Sequence, residues 1–191
     1  MTSSVRLASI QYYETQHPSS IIGSILLSFA IAHISAQGQS PPGPGPEHEA
    51  LKKLEGTWNA KVKMGDDESA ATATYKMVCG GMWLMSDFQG SFGEQKFSGH
   101  GLDGYDPEKK KYVSVWVDSM STRPMFLEGT YDKEKKTSTM TGEAKGPDGK
   151  MAKHKMTTHM PDDDHMTFTM YLLDADGQEN KVMTIEYTRK K

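Results

Sequence analysis

From residue 47 onward the sequence predicts an all-β fold, an antiparallel up-and-down β-barrel of about ten strands with one short helix in front of it. Three observations predict it. Apolar and polar residues alternate with a period of two from Trp58 to Tyr187, the repeat of strands with one buried face. Clusters of Gly, Pro and Asp interrupt that alternation at short intervals, and no helix-length segment lies between strands to carry a crossover. Finally, so many strands in one open sheet would leave two unpaired edges, which closure removes.

The elements follow in order. Residues 1–36 read as a signal peptide: Ile21 to Ala32 is an apolar run of suitable length, and Ala36 is a small residue before a cleavage point. The run is too short for a stable membrane span, and an uncleaved anchor is the alternative. The expected localisation is therefore periplasmic or secreted. Residues 37–46, ending in Pro41-Pro42-Gly43-Pro44-Gly45-Pro46, hold neither helix nor ladder and form a tether. Residues 47–191 form one domain. Pro46 to Leu54 opens it as a short helix, with Pro in the first turn, Glu47 and Glu49 early, Lys52 and Lys53 late, and Gly56 beyond.

Strands are predicted near Thr57–Met64, Ser69–Cys79, Met82–Gln89, Gln95–Tyr105, Lys111–Asp118, Met125–Tyr131, Thr137–Lys145, Met151–Met160, His165–Leu173 and Lys181–Arg189. One turn returns: Tyr105-Asp106-Pro107-Glu108-Lys109-Lys110 is echoed by Tyr131-Asp132-Lys133-Glu134-Lys135-Lys136. In a meander every second turn lies at the same end, so the echo suits that topology. Register is legible at one hairpin. Pairing Met160 with Met166 sets His154, Met156 and Thr158 beside the apolar face Phe168, Met170, Leu172; a slip of one residue would bury Lys153 and Lys155. His154 should point inward and His159 outward.

Composition narrows the function. A net charge of −3 supplies no field for nucleic acid or an anionic membrane. Cys79 is the one cysteine, so no intrachain disulfide forms. Thirteen of the 14 methionines lie beyond residue 36, spread singly over many strands, which suits a soft, adaptable core rather than a copper site. His159 and His165 around Asp162-Asp163-Asp164 read as a solvated turn, not a metal site. Asp118, with Ser114, Ser119, Glu128 and Glu143, supplies the only polar groups considered for chemistry. Nothing pairs a nucleophile with a base at recognisable spacing, so no enzyme is predicted.

The residues that could line the interior are Trp58, Tyr75, Trp83, Trp116, His154 and Phe168. They suggest a cavity for a small apolar or amphipathic molecule. Two alternatives stay open: a filled barrel acting as a structural or interaction module, and haem held by His100 or His154. No other cofactor is expected, and the sequence leaves the oligomeric state open.

Gly56-Thr57-Trp58 after a short helix resembles the Gly-x-Trp opening of lipocalins. A longer set of residues resembles the domain of unknown function 1579 family, a group of mostly bacterial, often exported proteins: Leu51 to Trp58 (LKKLEGTW), Gly99-His100-Gly101-Leu102-Asp103-Gly104-Tyr105-Asp106, and Tyr112 to Asp118 (YVSVWVD). The resemblance spans roughly Glu47 to Arg189. It implies a lipocalin-like or nitrobindin-like barrel and brings no catalytic residues with it.

Overall fold

The computed structural model of the protein describes residues 43–146 and 149–191. The expected signal peptide (1–36) and residues 37–42 of the expected tether lie outside the described residues. Helix α1 (Pro46–Lys52) comes first. Ten strands follow: β1 (Gly56–Met64), β2 (Asp67–Val78), β3 (Trp83–Phe92), β4 (Gln95–Asp106), β5 (Lys111–Asp118), β6 (Met125–Asp132), β7 (Thr137–Lys145), β8 (Met151–His159), β9 (His165–Leu173) and β10 (Glu179–Arg189). Each pairs antiparallel with its chain neighbour, and β1 pairs with β10, so the sheet is a closed barrel. The predicted fold class stands.

The alternation decides which side chains enter. In β1, Trp58, Ala60 and Val62 are buried, while Asn59 and Lys61 face out. Their neighbours Ala73, Phe88, Met166, Ile185 and Tyr187 complete the buried cluster. The β8–β9 register is the one expected, with His154 opposite Leu172, Met156 opposite Met170 and Thr158 opposite Phe168. His154 is buried and His159 exposed. The echoed turns also share one geometry. Asp106 Oδ1 accepts from the N–H groups of Glu108 and Lys109 at 2.9 and 3.0 Å. Asp132 Oδ1 does the same for Glu134 and Lys135, both at 3.0 Å.

Closure is pinned where the first and last strands meet. Trp58 and Arg189 are register partners across the β1–β10 seam. The guanidinium lies over the indole, 4.1 Å from its centroid, in a cation–π contact. Arg189 also donates from Nη2 to the Lys53 carbonyl (2.7 Å), from Nη1 to the Glu55 carbonyl and from Nε to the Asp163 carbonyl (2.6 Å). One side chain thus ties β10 to the α1–β1 link and to the β8–β9 turn. The indole N–H of Trp58 donates to the Leu54 carbonyl at 2.9 Å. The helix is held further by Tyr112, whose hydroxyl donates to the Glu47 carbonyl at 3.0 Å. His48, Tyr105, Tyr112 and Tyr131 make an edge-to-face series there, with centroids 6.4, 5.2 and 6.5 Å apart. Outer ion pairs such as Lys61–Glu68 (2.8 Å) and Lys63–Glu186 (3.0 Å) are about half exposed and contribute little.

Arg189→Ala removes the stacking and leaves three carbonyls short of a donor. A loss of about 2–4 kcal/mol in urea unfolding is expected, with Arg189→Lys recovering only part of it because an ammonium cannot fork and stack. An unchanged midpoint would show that the seam holds without this residue.

Candidate functional site

Ten strands enclose more space than their inward side chains fill. The remaining cavity measures about 440 Å³, and α1 meets it through Leu51 and Leu54. Its wall is largely apolar, with Met125, Met140, Met156, Met170 and Met183 facing Phe88 and Phe97 across the barrel. Thioether chains are flexible and polarizable, so such a wall adapts its shape to an occupant.

Trp116 lies flat against the inner wall because β4 offers it two glycines. A Cβ on Gly99 would stand 2.2 Å from the indole, and one on Gly101 would meet Ser86 Oγ at 2.4 Å and the indole at 3.3 Å. The indole N–H donates to Asp118 Oδ2 at 2.9 Å, and Asp118 Oδ1 accepts from the Met120 N–H at 2.9 Å. Asp118 therefore points inward and is spent on orienting Trp116. Gly104, on the opposite face of β4, seats Trp83 in the same way, with its missing Cβ 2.6 Å from that ring.

Within this apolar wall stands one polar cluster. Asp103 of β4 sits beside Ser114 of β5 and Leu84 of β3. Burial pushes its carboxyl up to about 6, partly offset by a hydrogen bond from Ser114. Tyr75 is close enough to feel that charge, and the hydroxyls of Tyr75 and Tyr187 share a hydrogen bond. Burial pushes both phenols well above their ordinary range. Ser86 lines the cavity with them.

The six residues singled out from sequence separate into three groups. Tyr75, Trp116 and Phe168 line the cavity. Trp58 and His154 are buried but stand outside its wall; Trp58 plugs the seam, and His154 Nδ1 bonds the Ala152 carbonyl at 3.0 Å. Trp83 does not face the interior. Leu84, Ser86 and Phe88 of the same strand do, and Phe88 is held opposite Ala73 in the core, so Trp83 must lie outside. His100 is also outside, with Nδ1 3.2 Å from the Asp87 carboxylate. Neither His100 nor His154 is among the residues of the cavity wall. Glu128 faces out and pairs with Lys111 and Lys109.

Sequence reasoning missed Asp103. The signal was present: Phe97, Gly99, Gly101 and Asp103 share one face of β4, so the parity of Phe97 predicts an inward carboxylate.

The family model described as "Protein of unknown function (DUF1579)" matches residues 43–189. No curated protein matches the chain in sequence. Among solved structures, Rv2717c from M. tuberculosis is similar with a TM-score of 0.56 at 14% identity, over 77% of this chain and 99% of that one. The S-type phycobiliprotein lyase CPES from Guillardia theta is similar with a TM-score of 0.51 at 11% identity, over 76% of this chain and 93% of that one. At such identities the likeness is one of fold.

The raised carboxyl of Asp103 has a consequence for stability. The folded state holds the proton more tightly than the unfolded chain, so a cost appears as pH rises from the ordinary Asp range through about 6 and is complete above it. Asp103→Asn should therefore stabilise the protein around pH 8 by up to roughly 2–3 kcal/mol and have little effect around pH 4. Denaturant melts at the two pH values check this; an equal effect at both would place the carboxylate in a solvated setting.

Proposed function

The chain belongs to the DUF1579 family, and we propose that its barrel binds a small, largely apolar molecule in its interior. The observation that carries this reading is the cavity of about 440 Å³ that remains once every inward Trp, Phe and Met has been accommodated. That volume falls in the range of small-molecule sites, and its apolar wall with few convergent polar groups has their usual make-up. The family description names no activity, and the reading carries no reaction. The fold neighbour described as a phycobiliprotein lyase supports only the idea that a barrel of this architecture can serve small-molecule chemistry.

Binding should be visible as quenching of Trp116 emission by an uncharged apolar dye such as N-phenyl-1-naphthylamine, or as a retained molecule in native mass spectra of protein from its own host. Met156→Trp, which fills the cavity from β8, should weaken dye binding at least about tenfold while leaving the fold intact. A wild-type barrel that retains no molecule and takes up no dye would refute interior binding.

One feature favours an interaction module as a second reading. Met85, Leu102, Val115 and Phe126 are successive cross-strand partners on the outer face of β3 to β6. Phe126 is 64% exposed and Met85 43%. With Trp83 beside them they form an apolar row of the kind that marks contact surfaces. Phe126→Lys should then abolish any concentration-dependent association in sedimentation velocity without affecting dye uptake. A protein that stays monomeric at high concentration with Phe126 intact would remove self-association as the use of this row.

A further inference from the structure

The reading of the barrel as a binding protein leaves open which molecules it takes, and the inference below rests on that reading. Four charged side chains belong to the cavity wall: Lys53, Asp103, Asp118 and Lys136. Two of them are already engaged. Lys136 Nζ donates to the Pro161 carbonyl at 2.7 Å, and Asp118 receives the Trp116 indole and the Met120 N–H. Lys53 stands just beyond the end of α1, where its backbone carbonyl takes part in the Arg189 clamp.

Asp103 differs. It projects from β4 into the interior, between Leu84 and Ser114 on the neighbouring strands. Its one hydrogen-bond partner among the described residues is Ser114, and none of the described Lys, Arg or His side chains forms an ion pair with it. A carboxylate has about four acceptor positions, so most of this one's capacity is unused. Charge buried without a cation is costly, and a group that brings the missing charge recovers that cost on binding. Around Asp103 the wall adds hydroxyls and aromatic rings rather than cations: Ser86, Tyr75 and Tyr187. Phenol rings attract an ammonium through their faces, and hydroxyl oxygens accept its remaining N–H bonds.

We infer that the cavity selects amphipathic amines, the ammonium head seated on Asp103 beside Ser114 and Tyr75 and the apolar body lying along the methionine-rich wall. An anionic amphiphile would have to place its head near Asp103 or leave it at the Lys53 end. A neutral alcohol would satisfy one or two acceptors and leave the carboxylate without a counter-charge.

Three ligands that differ only in the head group test this: decylamine, decanol and decanoate, each titrated against the full-length protein near neutral pH by displacement of the apolar dye. Decylamine is expected to bind at least about tenfold more tightly than decanol, with decanoate weakest. In Asp103→Asn the preference of amine over alcohol should disappear while decanol affinity is unchanged. Ser114→Ala, which keeps the carboxylate, should retain the preference. The inference is overturned if decanol or decanoate equals decylamine on the wild-type protein, a comparison that needs no variant. It is overturned equally if Asp103→Asn keeps the preference, or if Asp118→Asn abolishes it instead. These results leave interior binding itself standing, whereas failure of the dye and all three ligands to bind removes both.

Discussion

The β1–β10 seam is the constraint on which the rest of the structure depends. A meander of ten strands is a ring only if its first and last strands find each other, and until then it has two open edges and no inside. Here the joint is made by Trp58 and Arg189, paired in register and stacked, with the guanidinium reaching carbonyls on both sides of the seam. The two residues lie near opposite ends of the domain in sequence, so their contact closes the longest loop of any strand pairing. Folding of such a topology is expected to be limited by that closure entropy.

Once the ring closes, its circumference sets an interior larger than its side chains fill, and the chain uses the surplus in two ways. Methionines from several strands furnish a wall without rigid shape. Gly99 and Gly101 thin one strand so that the Trp116 indole can lie against it rather than across the space. Both choices keep the interior open at the cost of packing density. Asp103 adds to the cost. A carboxylate in the cavity wall, hydrogen-bonded by Ser114 and paired with no described cation, works against stability.

Much of this was legible in the sequence. The strands, their order, the β8–β9 register and the likeness of the turns at Asp106 and Asp132 all follow from local alternation and turn chemistry, and the structure has them as expected. The candidate site was legible only in part. Tyr75, Trp116 and Phe168 were found because a large apolar side chain on the inner face of a strand is visible in the pattern. Trp83 was misplaced because Trp83 and Met85 are as apolar as Leu84, so the alternation in that part of β3 has no polar face to break the tie. Asp103 was overlooked for the converse reason: a charged residue near a strand end reads as solvated unless the whole strand's parity is followed from Phe97.

The sequence alone thus determined that the domain is a meander of short strands and, wherever polar and apolar residues alternate cleanly, which side chains turn inward. Both are local properties, set by the two-residue repeat of the backbone and by the conformations that Gly, Pro and Asp impose on turns. Only the tertiary structure decided that the ring closes through Trp58 and Arg189, that a cavity of about 440 Å³ is left over, and that Asp103 stands in its wall with none of the described Lys, Arg or His side chains paired to it. Those are properties of how many strands share one circumference and of which distant side chains meet across it, and no window of adjacent residues contains either.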